Sequence, residues 1–138
     1  MNASRPAAPY RKPWVQRHWI LTLLLALGVL FTLSVAIGAW MTYSVMDSMR
    51  YTPPFIEAME RARANPEVKA ALGEPLEDRF VLGAVEPKDQ GVAKLFIFVQ
   101  GPKGKGDVQI EGIREQGAWH YSVMRVNLDK DRTSIDLL

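Results

Sequence analysis

The 138-residue chain has no cysteine, only two histidines, and no Asp or Glu before Asp47. Without cysteine there is no disulfide framework, no thiolate zinc site and no thiol nucleophile, so any exported part must hold together by packing alone. His18 and His120 are too few for a His-rich metal site. A Ser-His-Asp triad could use only His120, which stands between Trp119 and Tyr121 in a strand-like run and reads as a surface or packing residue. The fifteen acids permit many carboxylate pairs, but no spacing singles one out. There is no internal repeat and no low-complexity tract. The chain is therefore expected to be no enzyme, with no catalytic residues, no cofactor, no bound metal and no small-molecule substrate.

Charge is also absent from 28 consecutive residues, 19–46, which hold no Asp, Glu, Lys or Arg. A bilayer's hydrocarbon core is about 30 Å thick and needs roughly 20 apolar helical residues. The stretch is long enough to cross it and either tilt or enter the interface. Residues 1–18 carry Arg5, Arg11, Lys12 and Arg17 and no acid, a charge of +4. The remaining thirteen Lys and Arg face all fifteen acids, which leaves the rest of the chain at about −2. A short basic end beside a first span stays on the cytoplasmic side, so residues 1–18 read as a disordered cytoplasmic tail and residues 47–138 as an exported domain. This division also argues against nucleic acid as a partner and puts the two histidines on opposite sides of the membrane. Tyr10, Trp14 and Trp19 at one end and Trp40 and Tyr43 at the other suit two interfacial aromatic belts.

A secretory signal has an apolar run of about 7–15 residues, much shorter than this one. The best exit here, Ile37-Gly38-Ala39, puts a bulky Ile where a small residue is favoured. An amphipathic mitochondrial presequence would be interrupted by Pro6, Pro9 and Pro13, each of which removes an amide donor. A bacterial inner membrane is the expected location, with the mitochondrial inner membrane as the alternative. Gly28 and Gly38 are ten apart and make no Gly-x-x-x-Gly pair, but Ser34 and Gly38 are a small-x-x-x-small pair that can let another helix approach. No ionisable group lies in the span, which argues against proton relay or conduction by it alone.

The exported part is long enough for one small domain with a single core. Thr52 ahead of Pro53 and Pro54 predicts a helix start. Phe55, Met59 and Ala62 then make one apolar stripe flanked by Ile56, with Glu57, Glu60, Arg61 and Arg63 toward water. Asn65-Pro66 caps a second, short helix with apolar Val68, Ala71 and Leu72; Gly73 ends it and Pro75 prevents continuation. From Gly73 onward lie eight of the ten glycines, and strand-like runs alternate with turns. Strands are expected at 79–84, 92–100, 107–115, 119–128 and 134–138. The second reads as central because both faces are apolar apart from Lys94. In the third, the phase slips at Gly112 and predicts a bulge. In the fourth, Trp119, Tyr121 and Val123 share one face and His120, Ser122, Met124 and Val126 the other. The expected fold is α+β: one transmembrane helix, then two helices packed on a mainly antiparallel sheet of about five strands.

The turn at 101–106, Gly-Pro-Lys-Gly-Lys-Gly, is superficially like a phosphate loop. Its lysines are not followed by Ser or Thr, and its context is strand-turn-strand rather than strand-turn-helix. Met41, Met46 and Met49 could offer thioethers to Cu(I) near the membrane exit, and are equally ordinary packing residues there.

The runs Ala62-Arg63-Ala64-Asn65-Pro66-Glu67-Val68 and Leu72-Gly73-Glu74-Pro75, then residues 93–99 with Gly101-Pro102-Lys103-Gly104-Lys105-Gly106, then Gly117-x-Trp119, resemble the cytochrome c oxidase assembly factor Coa1 family, which is related to the Tim21 subunit of the mitochondrial inner-membrane translocase. The resemblance covers residues 50–138 and implies one inner-membrane span, an exported α+β domain and a chaperone-like role on oxidase intermediates. The same residues have structural readings. Gly73, Gly101, Gly104, Gly106 and Gly117 suit turns of positive φ. Trp119 reads as a core anchor between sheet and helices, or, if exposed, as a partner contact.

The partners expected are the lipid bilayer and other membrane proteins, subunits of a respiratory complex, with Ser34, Gly38 and Trp119 as possible contacts. The chain is then an assembly or accessory factor of a terminal oxidase. The alternatives are a permanent single-span subunit of such a complex and a periplasmic copper chaperone.

Overall fold

The computed structural model describes residues 7–138. Arg5 of the basic tail, and Pro6, lie outside the described residues. The chain divides into two units, one ending at Met41 and one spanning Thr42–Leu138.

In the first unit, α1 (Trp14–Arg17) is a single turn where disorder was expected. Pro13 occupies the position just ahead of it, where a missing N–H costs no helical hydrogen bond, so this proline starts a helix instead of breaking one. The second helix, α2 (Trp19–Met49), has 31 residues and rises about 46 Å at 1.5 Å per residue. No residue in it is buried, and its most apolar 18-residue window has a mean hydropathy of 2.7. It is long and apolar enough to cross a membrane. Hydroxyls within it bond back to their own helix: the Thr32 hydroxyl donates to the Gly28 carbonyl and Ser34 to Leu30, both at 2.9 Å. The helix runs beyond the charge-free stretch, through Asp47 and Ser48, to Met49.

The second unit follows the expected order: α3 (Pro53–Ala64), α4 (Pro66–Leu72), then β1 (Glu77–Val85), β2 (Val92–Gly101), β3 (Gly104–Glu115), β4 (Ala118–Leu128) and β5 (Ser134–Asp136). All neighbours pair antiparallel in the order β1-β2-β3-β4-β5, because every connection is of hairpin length. The helices α3 and α4 lie across β2, β3 and β4. Phe55, Met59 and Ala62 of α3 and Val68 and Leu72 of α4 are buried against Val81, Leu95, Ile97, Val108, Ile110, Met124 and Val126 of the sheet. Burying an aliphatic side chain of this size stabilises the fold by about 1.5–3 kcal/mol, and this shared core replaces the missing disulfides.

Local chemistry explains the helix starts. The Asn65 side chain accepts from the amides of Glu67 (2.8 Å) and Val68 (3.3 Å), capping α4 as expected. Thr52 stands at the start of α3 but does not cap it with its side chain: its hydroxyl donates to the Met49 carbonyl at 2.7 Å. Pro54 removes one of the two N–H groups a capping oxygen could accept from, leaving only that of Phe55.

The bulge is real but lies opposite its expected place. The alternation of β3 is unbroken through Val108, Ile110 and Gly112, and Ile113 sits on the outer face. The pairing shifts between Glu111, opposite Val123, and Gly112, opposite Tyr121, so the extra residue is Ser122 in β4. Tyr121 therefore returns to the helix-covered face with Met124 and Val126, not the face of Val123, and packs against the core. Trp119 is only half-buried and stands outside the core cluster, so it is not the core anchor; Tyr121 takes that place.

The glycines also divide. Gly73 (φ 79°) and Gly117 (φ 81°) have the expected positive φ, and Gln116 (φ 50°) with Gly117 makes a two-residue turn of the hairpin-favoured kind. Gly101, Gly104 and Gly106 do not have positive φ. The expected six-residue turn is only Pro102-Lys103, with Gly101 paired to Gly104. What this hairpin does is receive the end of α4. The Lys103 amide donates to the Leu72 carbonyl at 2.9 Å, and the Lys103 ammonium reaches the Ala70 carbonyl at 3.4 Å. A Cβ on Gly101 would sit 2.1 Å from the Leu72 oxygen, so only glycine lets the helix end approach. Gly101→Ala should therefore destabilise the domain by about 1–3 kcal/mol. A thermal melt of the full chain, followed by the circular dichroism of the sheet, should show a midpoint lower by roughly 5–15 °C.

Candidate interaction surfaces

The outer face of the sheet, away from the helices, is of two kinds. Over the middle of β3 and β4, and at Lys94 of β2, it is polar. Lys94 pairs with Glu111 at 3.1 Å, Arg125 donates to the Gln109 carbonyl oxygen at 2.9 and 3.1 Å, and Asn127 donates to Asp107 at 2.8 Å. The Lys94 ammonium, by hydrogen bond and by charge, holds the Glu111 carboxyl below its ordinary pKa. Over β1 and β2 it is apolar. Phe80 pairs across the strands with Phe98 and Leu82 with Phe96. Phe80, Leu82 and Phe98 are 40–46% exposed, and the Phe80 and Phe98 rings lie 6.1 Å apart, tilted at 54°. Apolar side chains exposed next to one another on adjacent strands make this face the candidate contact surface.

This patch borders an open sheet edge. β1 is the first strand and, among the described residues, pairs only with β2. At its start lies a cleft of about 830 Å³ between the helices and the 73–78 segment, floored by Ala62, Val68, Pro75 and Leu76. Arg50 of the chain's approach to α3 reaches Asp78 at 2.8 Å, and Met49 packs on the core, which ties residues 49–50 to the domain.

The residues singled out by sequence are not gathered into one site. Ser34 and Gly38 lie on the exposed surface of α2, with the Ser34 hydroxyl bonded back to its own helix and open space where a Gly38 side chain would stand. Trp119 lies at the far end of β4. Gly73, Gly101, Pro102 and Gly104 do come together, where the end of α4 meets the β2–β3 hairpin; Asn65 and Pro66 start α4 at its other end, Gly106 approaches the Asn127 carbonyl, and Gly117 forms the β3–β4 turn. Their shared role is to dock helix on sheet. Among the described residues, no group of three or more His, Cys, Asp or Glu could hold a metal ion. Met49 is engaged in core packing and is not a free thioether. The apolar patch and edge at β1 were not anticipated, although Phe80 and Leu82 alternating against Phe96 and Phe98 carry the signal.

Comparison with known proteins settles the family. The family model of cytochrome oxidase complex assembly protein 1, Coa1, matches residues 26–138. The chain belongs to the Coa1 family. The match begins inside α2 and takes in the whole α+β unit, so the Coa1 residues include both the helix–hairpin junction and the apolar edge. No curated protein and no solved structure matches the chain.

Tyr121, brought inward by the Ser122 bulge, gives this Coa1 domain a pH signature. Its hydroxyl is buried and no hydrogen bond of ordinary geometry reaches it. Burial raises its pKa above the usual tyrosine value, and the nearby Glu57 carboxylate adds to the effect. The folded state thus holds the proton more tightly than the unfolded chain. Above about pH 10 unfolding releases a proton, and stability falls as pH rises further. Tyr121→Phe should keep stability within about 1 kcal/mol at pH 7, since it removes an unpaired buried hydroxyl. It should also flatten the alkaline loss. Urea denaturation of the full chain at pH 7 and pH 11, read by tryptophan fluorescence, measures both effects.

Proposed function

We propose that this chain is a single-span assembly factor that binds subunits of a cytochrome oxidase while the complex is incomplete, with no catalytic step of its own. The observation that carries the reading is the Coa1 match across the full α+β domain and into α2. The family's role is cytochrome oxidase complex assembly. Arg11, Lys12 and Arg17 ahead of an acid-free span favour a cytoplasmic amino terminus and an exported domain, in a bacterial inner membrane. The contacts we assign to partners are the small-residue face at Ser34 and Gly38 within the bilayer and, outside it, the apolar outer face of β1 and β2 and, separately, Trp119 at the start of β4.

Crosslinking in membranes, followed by capture of the tagged full chain in mild detergent, tests the proposal. Oxidase subunits should be enriched over other respiratory proteins. Their absence from the captured material would overturn it.

A further inference from the structure

The geometry points to strand addition: the free edge of β1 binds an extended polypeptide segment of a partner, with apolar residues at alternate positions and a carboxylate placed at Arg63. This rests on the binding role proposed above and specifies what is bound.

Alternate residues of β1 direct their N–H and C=O groups away from β2, and among the described residues no main-chain hydrogen bond reaches residues 80–85 from that side. Only another extended main chain offers donors and acceptors at the matching spacing. The first part of the edge is blunted by a register shift between Asp78 and Phe80 and by Glu77, Asp78 and Arg79, which leaves 80–85 as the pairing length, with Gly83 (φ 129°) as an irregular residue within it. The other sheet edge, β5, is three residues long and offers far less. On one side of an added strand its apolar residues would continue the Phe80, Leu82, Phe96 and Phe98 surface. At the start of β1 the segment would enter the cleft floored by Ala62, Val68 and Leu76.

Charge selects the end that enters. Lys69 in that cleft is already paired with Glu74 at 3.1 Å, and Arg79 with Glu77 at 3.4 Å. Arg63 also lines it, donates only to the Leu76 carbonyl at 3.3 Å, and forms no ion pair among the described residues. A carboxylate on the incoming segment completes it. Such a site distinguishes unfinished partners from finished ones. A segment not yet folded still has its main chain to offer, whereas in a mature subunit those groups are already paired.

The test uses the full chain in lipid nanodiscs and a fluorescent eight-residue peptide alternating valine and threonine, with a free terminal carboxylate. Anisotropy should saturate, and amide exchange should slow at 80–85. Binding should weaken about tenfold with Arg63→Gln or with the carboxamide peptide, the loss expected of one charge-assisted contact. Leu82→Asp, exposed and remote from the core, should abolish saturation while leaving the melting curve in place. No saturation at millimolar peptide, or saturation without slowed exchange at 80–85, overturns the inference. It is equally overturned if 80–85 is already protected and the chain dimeric without peptide, or if added vesicles alone protect it. Oxidase capture with an unprotected β1 edge would sink strand addition and leave the assembly role standing; peptide binding without oxidase capture would do the reverse.

Discussion

Ile97→Asp is expected to unfold the carboxy-terminal domain completely while α2 stays in the membrane. Ile97 is fully buried on β2, beside Val81 and Val108 on the neighbouring strands. The substitution removes an aliphatic group, at a cost of about 2–5 kcal/mol with the cavity it leaves. It also puts a carboxylate where no partner exists, which adds several kcal/mol more. A domain of this size has only about 5–15 kcal/mol to lose. Circular dichroism should show the sheet signal gone, and limited proteolysis should leave the membrane segment alone. Phe98→Asp, one residue along on the outer face, should cost only about 1–2 kcal/mol, from the lost Phe80 contact and the Asp107 carboxylate opposite it, and leave the domain folded. The contrast between two adjacent residues tests the assignment of inner and outer faces.

Those faces were partly legible in the sequence. The stripe Phe55, Met59 and Ala62, the Asn65 cap and the apolar run of β2 follow from periodicity and side-chain chemistry, and they are found where expected. The Ser122 bulge was not legible there, because one extra residue in a strand leaves no mark when its partner strand carries the irregular pattern. The sequence instead suggested a slip at Gly112, the residue just past the pairing shift. That single residue turned Tyr121 onto the face of Met124 and Val126; Trp119, two residues earlier on the same face, stays outside the core cluster at the start of β4. The glycines of the β2–β3 hairpin misled for another reason. Glycine serves positive φ and close approach alike, and only the position of the α4 end shows that Gly101 serves the second. The open edge of β1 depends on strand order, which hairpin spacing implied but did not single out as a surface.

The second large effect concerns α2. A chain lacking residues 19–46 should leave the membrane entirely and fail to support oxidase assembly. Insertion of about 20 apolar residues, most at −0.3 to −0.6 kcal/mol each, supplies the whole anchoring energy. Carbonate-washed membranes should retain the full chain and none of the shortened one. Ser34→Leu separates anchoring from docking. It keeps the chain in the membrane, and a severalfold loss of captured partner would mark the Ser34 and Gly38 face as a contact. Unchanged capture would reduce α2 to a tether.

We propose that this Coa1-family chain acts on an oxidase under construction and is not part of the finished enzyme. Blue-native electrophoresis of membranes taken through oxidase biogenesis tests it most directly, with the chain and an oxidase subunit followed together. The chain should migrate with partly assembled oxidase and be absent from the mature complex, and cells without it should accumulate less mature oxidase. Migration with the mature complex at constant ratio, or normal mature oxidase in cells without the chain, would contradict it.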